Sequence, residues 1–200
     1  MTETTTSSTD VQVIDRVVIR FAGDSGDGKH LTGTRFTAES ALFGNDLATL
    51  PEFPAEIRAP QGTLAGVSAF QVHISDHEIT TPGDQPSVLV AMNPAALKKE
   101  LPRLEDRGTI IANVDAFEER NLEKAGYETN PLEDGSLDGY TLFPIPITTL
   151  TSRALEDLDV KKRDAERSKN FFALGLISWM YSRPLGNTLD WIDGKFVKND

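Results

Sequence analysis

Residues Val17-Val-Ile-Arg-Phe-Ala-Gly23-Asp-Ser-Gly26-Asp-Gly28-Lys-His-Leu-Thr-Gly33 pass from a β-branched apolar stretch through a glycine-rich turn into helical spacing. A short apolar run of this kind reads as a strand covered on both faces. A tight glycine turn feeding a helix aims several backbone N–H groups at one point, where an anion can sit. The segment therefore demands an α/β layer structure with a ligand edge at the carboxyl end of its first strand.

The remaining chain repeats the alternation. Arg16–Ala22 is read as a central strand, apolar but for Arg20, and 32–43 as a helix closed by Gly44-Asn45. Residues 47–66 carry prolines at 51, 54 and 60 and glycines at 62 and 66, so a long irregular loop is expected there. Strands follow at 67–74, 87–92 and 109–114, with a helix begun by Asn93-Pro94 and running to about Leu104. Asp115 is read as the cap of a helix over 116–125 that Gly126 closes, and 140–147, with two prolines, as an edge strand. A long helix over 161–182 is the last large element expected. Such alternation predicts an α/β fold of Rossmann-like type: a mostly parallel sheet, helices on both faces, one domain over 15–200 behind a flexible tail over 1–14.

Composition removes several function classes. A formal charge of −11 gives no basic field for nucleic acid. With no cysteine, the chain forms no disulfide and supplies no thiolate to zinc or to an iron–sulfur cluster. No apolar run nears the ~20 residues of a membrane span and no signal segment opens the chain, so a cytoplasmic protein without a membrane partner is expected.

The glycine turn admits three readings. Gly26-Asp-Gly28-Lys-His-Leu31 lacks the third glycine of a dinucleotide fingerprint. Gly23-Asp-Ser-Gly-Asp-Gly28-Lys29 fits the first seven positions of a P-loop, as in GTPase-type switch domains. His30 then stands where a Mg²⁺-holding hydroxyl is required. Asp115 is the sole candidate for the second Mg²⁺-side acid, and no Asn-Lys-x-Asp motif occurs. The third reading is a turn that serves packing alone, against which Asp24, Asp27, Lys29 and Thr32 form an unusually polar set.

Read end to end, the chain resembles the 2-oxoacid:ferredoxin oxidoreductases, and within them the γ-type domain that opens the α subunit of the 2-oxoglutarate enzymes. The resemblance rests on Arg20-Phe-Ala-Gly-Asp-Ser-Gly-Asp-Gly28, Phe43-Gly-Asn-Asp-Leu47 and Pro54-Ala-Glu-Ile-Arg-Ala-Pro60. It continues through Gly66-Val-Ser68, Val90-Ala-Met-Asn-Pro-Ala-Ala-Leu97, Asn130-Pro-Leu-Glu-Asp-Gly135, Lys169-Asn-Phe-Phe-Ala-Leu-Gly175 and Ser178-Trp-Met-Tyr181. Lys29-His30 departs from the Met-Gln type of pair usual after this turn. Arg58-Ala-Pro-Gln-Gly62 replaces the Arg-Gly-Gly of pyruvate-type γ subunits.

The resemblance implies an enzyme complex in which a 2-oxoacid is decarboxylated, electrons pass to ferredoxin and CoA accepts the acyl group. It implies that thiamine diphosphate with Mg²⁺ and a [4Fe-4S] cluster are held elsewhere, by the remainder of the α subunit and by a β subunit, and that this chain is either part of a longer α subunit or a split subunit, inactive alone. CoA is the ligand expected here, at Gly23, Asp24, Ser25, Gly26, Asp27, Gly28 and Lys29, with Arg58 and Asn93 as further contacts. Arg58 could equally pair with Glu56 or Glu52, and Asn93 could equally cap its helix. His30 is a proton carrier, a ligand contact or a solvent-facing loop residue; no catalytic residue and no metal ligand is assigned to the chain.

Overall fold

The computed structural model describes residues 13–25, 29–41, 44–55 and 59–196. Six strands, β1 (Arg16–Asp24), β2 (Asp46–Glu52), β3 (Val67–Ser75), β4 (Val88–Ala91), β5 (Thr109–Asn113) and β6 (Thr141–Ile145), form one sheet in the order β2-β3-β1-β4-β5-β6. Among the described residues the helices are α1 (Lys29–Ala41), α2 (Pro94–Glu100), α3 (Glu119–Ala125), α4 (Ile147–Ala154), α5 (Lys162–Arg167), α6 (Lys169–Met180) and α7 (Gly186–Phe196). β1, β4, β5 and β6 pair in parallel, whereas β3 is antiparallel to both β1 and β2. Five strands thus point one way and β3 alone opposes them, in keeping with the mostly parallel sheet the sequence implies.

Alternation along each strand divides the interior into two cores. Val17, Ile19 and Phe21 of β1 join Phe70, Val72, Val90 and Ile111 beneath Phe36 of α1 and Leu174 and Ile177 of α6. Ala22, Ala69, Leu89, Ala91, Ile110 and Ala112 face the other way, under Leu97 of α2 and Ala125 of α3. The side chains are small where α2 lies on β4 and β1, so the helix sits close to the sheet. Both faces are covered, which explains why the strands read as continuous apolar runs.

Four expectations change. Residues 46–52 form β2 within the stretch read as loop. Pro51 is tolerated because β2 is an edge strand and needs no N–H on its free side. The expected helix over 161–182 is α5 and α6, joined at Ser168. The helix expected from 116 begins only at Glu119 after a 3₁₀ turn, so Asp115 does not cap it. α4 and α7 were not foreseen, since neither carries a Ser, Thr, Asp or Asn start signal ahead of it: Pro146 precedes α4 and Gly186 opens α7. Gly126 does close α3, at φ +75°. Of the tail expected over 1–14, residues 1–12 lie outside the described residues.

Candidate functional site

β1 and β4 are adjacent and parallel, with Ala22 paired to Ala91 and the Met92 N–H donating to the Ala22 carbonyl at 3.0 Å. Their carboxyl ends therefore place Gly23, Asp24 and Ser25 beside Asn93 on one edge of the sheet. Lys29 is the first residue of α1, directly after the turn. Gly26, Asp27, Gly28 and Arg58 lie outside the described residues, and so does Glu56.

Each described member of this set has a local task. The Asp24 carboxylate accepts the Gly62 N–H at 2.8 Å, and the Ser25 N–H donates to the Gly66 carbonyl at 3.0 Å. The end of β1 is thereby tied to the proline-rich connection between β2 and β3. Gly62 has φ +81°, a conformation that favours glycine. Asn93 accepts the Ala96 N–H at 2.8 Å and caps α2, with Pro94 at the first helical position. Its carbonyl oxygen is committed, so a ligand at this edge would meet its amide group.

His30 is packed. Its ring stacks on Phe53 at 5.0 Å between centroids and meets the Phe70 edge at 5.5 Å. Imidazole is a poor ligand for Mg²⁺, so His30 does not stand in for the hydroxyl of a P-loop. Asp115 has also been drawn away from any nucleotide role. Its two oxygens accept from Thr149, at 2.7 Å from the backbone N–H and 3.0 Å from the hydroxyl, holding the start of α4. His73 lies within β3, buried, with Nδ1 3.2 Å from the Thr81 carbonyl.

Beside Ser25, just past the carboxyl end of β1, opens a cleft of about 530 Å³. Ser25, Thr32 and Gln61 line one side; Arg163 and Arg167 of α5 and Lys169 of α6 line the other. Thr32 anchors the two sides by donating from its hydroxyl to the Asn170 carbonyl at 3.3 Å.

Sequence reasoning missed two groups of residues near this edge. Asn113, at the end of β5, donates to the Thr148 hydroxyl at 3.1 Å and accepts the Thr148 N–H at 3.3 Å. The second is a buried ionic network. Arg20 is fully enclosed, donating to Glu100 at 2.6 Å, to Gln71 at 3.3 Å and to Glu52. Arg103 donates to the same Glu52 carboxylate at 2.8 Å, and the Lys99 ammonium lies 3.7 Å away. Burial works to raise the Glu52 carboxyl, but the Arg20 hydrogen bond and charge, helped by Arg103 and Lys99, outweigh it and hold the group below its ordinary value. The signal was present: an arginine inside a central strand must find carboxylates.

The chain has recognisable relatives. The family model for pyruvate ferredoxin/flavodoxin oxidoreductase matches residues 18–199. The 2-oxoglutarate oxidoreductase subunit KorA of Mycobacterium tuberculosis is 58% identical over 189 residues. That match covers 94% of this chain and 29% of the relative, so the chain spans under a third of the relative's length. Among solved structures, a 2-oxoglutarate:ferredoxin oxidoreductase from Magnetococcus marinus, with 2-oxoglutarate, coenzyme A and succinyl-CoA bound, superposes with a TM-score of 0.69 at 24% identity, over 94% of this chain and 28% of that one. The γ subunit of a keto/oxoacid ferredoxin oxidoreductase from Geobacter sulfurreducens superposes with a TM-score of 0.56 at 20% identity, over 81% of this chain and 75% of that one. Both structures share the fold described above. With nearly its whole length matched by the family model and by a relative of such identity, the chain belongs to the pyruvate ferredoxin/flavodoxin oxidoreductase family.

Proposed function

We propose that the chain is the γ-type domain of a CoA-acylating 2-oxoacid:ferredoxin oxidoreductase, with 2-oxoglutarate as the oxoacid, and that it holds CoA at the carboxyl edge of β1. The observation that carries this reading is the 58% identity to a 2-oxoglutarate oxidoreductase subunit along 94% of the chain, glycine turn included. The edge suits the task. Amides of a βα turn receive phosphate oxygens without a metal, and Asp24 and Ser25, which lead into that turn, bond to the connection at Gly62 and Gly66.

In such an enzyme thiamine diphosphate supplies the decarboxylation chemistry and the [4Fe-4S] cluster the electron path to ferredoxin. This chain contains no cysteine to ligate a cluster. The remainder of an α subunit and a β subunit are the partners this reading calls for. No helix among the described residues is long and apolar enough to cross a membrane.

Calorimetric titration with CoA and with GTP–Mg²⁺ tests the reading. The protein should take up CoA, and Gly26→Val with Gly28→Val should weaken it at least tenfold, the loss of one or two charge-assisted amide contacts. Mg²⁺-dependent GTP binding without CoA binding would overturn it.

A further inference from the structure

From Asn170 to Ser182 no residue carries a charge, so α6 has no charged face, and a helix apolar all round is suited to burial on every side. One side has its cover. Asn170, Ala173, Leu174, Ile177 and Ser178 are buried, and three of them belong to the core over the sheet. The opposite side carries Phe172, Gly175, Leu176 and Trp179, spaced three and four residues apart and hence in one stripe. Phe172 and Leu176 are half-buried, and Trp179 is 76% exposed. Gly175 has no task within the chain. Its φ is not in the left-handed region, and nothing stands within 4 Å of where a Cβ would be. Glycine weakens the interior of a helix, so a bare backbone at this place serves a close approach from outside.

We infer that this outward stripe of α6 is the seat of an apolar helix from the remainder of the α subunit, which crosses at Gly175 with Trp179 as the anchor. This rests on the reading of the chain as a γ-type domain and names where that domain meets its partner. A second copy is the poorer occupant. Phe172 to Trp179 spans about 10 Å of helix, a patch well short of the ~800 Å² that each side of a stable free dimer contributes. Two copies at −11 each also repel one another. A contact this small holds where the two bodies are linked, because linkage raises their effective concentration. The KorA relative supplies that condition: the matched stretch is 29% of its length, so a larger body is joined to it there. An exposed tryptophan is the kind of anchor that carries interface energy, and the notch at Gly175 lets a ridge of the opposing helix come close.

The test compares this chain alone with the enzyme assembled from it, the rest of the α subunit and the β subunit. Hydroxyl-radical footprinting read by mass spectrometry should find Trp179 oxidised readily in the chain alone and several-fold more slowly in the assembly. Gly175→Leu then separates an inner from an outer role. With open space around the position, it should raise the melting temperature of the chain alone by about 2–4 °C through helix propensity. It should also weaken the hold on the rest of the α subunit by about tenfold or more, by overpacking the seat. Trp179→Glu should leave the melting of the chain alone unchanged and hinder assembly in the same way. Equal oxidation of Trp179 in both states, assembly of either variant at the parent's affinity, or a lowered melting temperature for Gly175→Leu alone overturns the α6 assignment and leaves the proposed function standing. Protection of Trp179 that grows with the concentration of the chain alone gives the stripe to a second copy and overturns it equally. A chain that joins neither the rest of the α subunit nor the β subunit overturns both.

Discussion

A methyl group at Gly33 would lie 2.1 Å from the edge of the Phe70 ring, far inside van der Waals contact, which is how close α1 comes to β3. Gly33→Ala must push apart a buried aromatic and a helix, and should cost about 1–3 kcal/mol in urea denaturation. Glu39 is fully buried on α1 and accepts the Thr188 N–H together with the Asn187 amide, 3.3 Å away, so its carboxylate caps the first turn of α7. Glu39→Ala removes that cap and should destabilise α7 by about 1–2 kcal/mol. Trp191 on α7 lies under the Arg35 guanidinium at 4.5 Å, so its fluorescence should shift to the red as the helix loosens. At this scale the sequence was legible where a residue's role is local. Gly126 and Asn93 announced a stop and a start. Glu39 and Asp115 did not, because their partners lie 149 and 34 residues away in the chain.

β1 owes its place at the centre of the sheet to more than apolar contact, since Arg20 ties it to α2 and to the end of β2 through Glu100 and Glu52. Glu100→Gln leaves a fully buried guanidinium with less countercharge, and should lower stability by about 3 kcal/mol in denaturant. The Glu52 carboxyl is held below its ordinary value of 4.5 in the folded state. Its contribution is therefore complete above that value and is lost as pH falls through the lower folded value. Urea midpoints taken from about pH 6 to about pH 3 should fall more steeply for the parent than for Glu52→Gln. The elements best read in advance were those with a regular apolar period and a punctuating residue, namely β1, β3, β4 and β5. β2 was hidden by Pro51, and the break between α5 and α6 by a sequence that keeps helical spacing through Ser168, where the backbone stays near helical angles.

The whole molecule follows from alternating strands and helices, and that alternation was legible without coordinates. What the pattern could not show is that β3 would run against its neighbours, because an antiparallel strand covered on both faces has the same composition as a parallel one. The edge of the candidate site was equally legible, for the carboxyl end of a glycine-terminated central strand is where such sheets meet ligands. Its far wall was not, since Arg163 and Arg167 come from a helix some 140 residues away in the chain from the glycine turn.

Both flanks of the sheet end in proline-bearing strands, Pro51 in β2 and Pro144 in β6. Neither rim offers the unbroken ladder of donors that a stray strand needs in order to zip on. A body so trimmed can be crowded without growing into ribbons, and any neighbour it accepts must be met through helices and connecting segments. Shape and charge, not backbone pairing, then decide who docks.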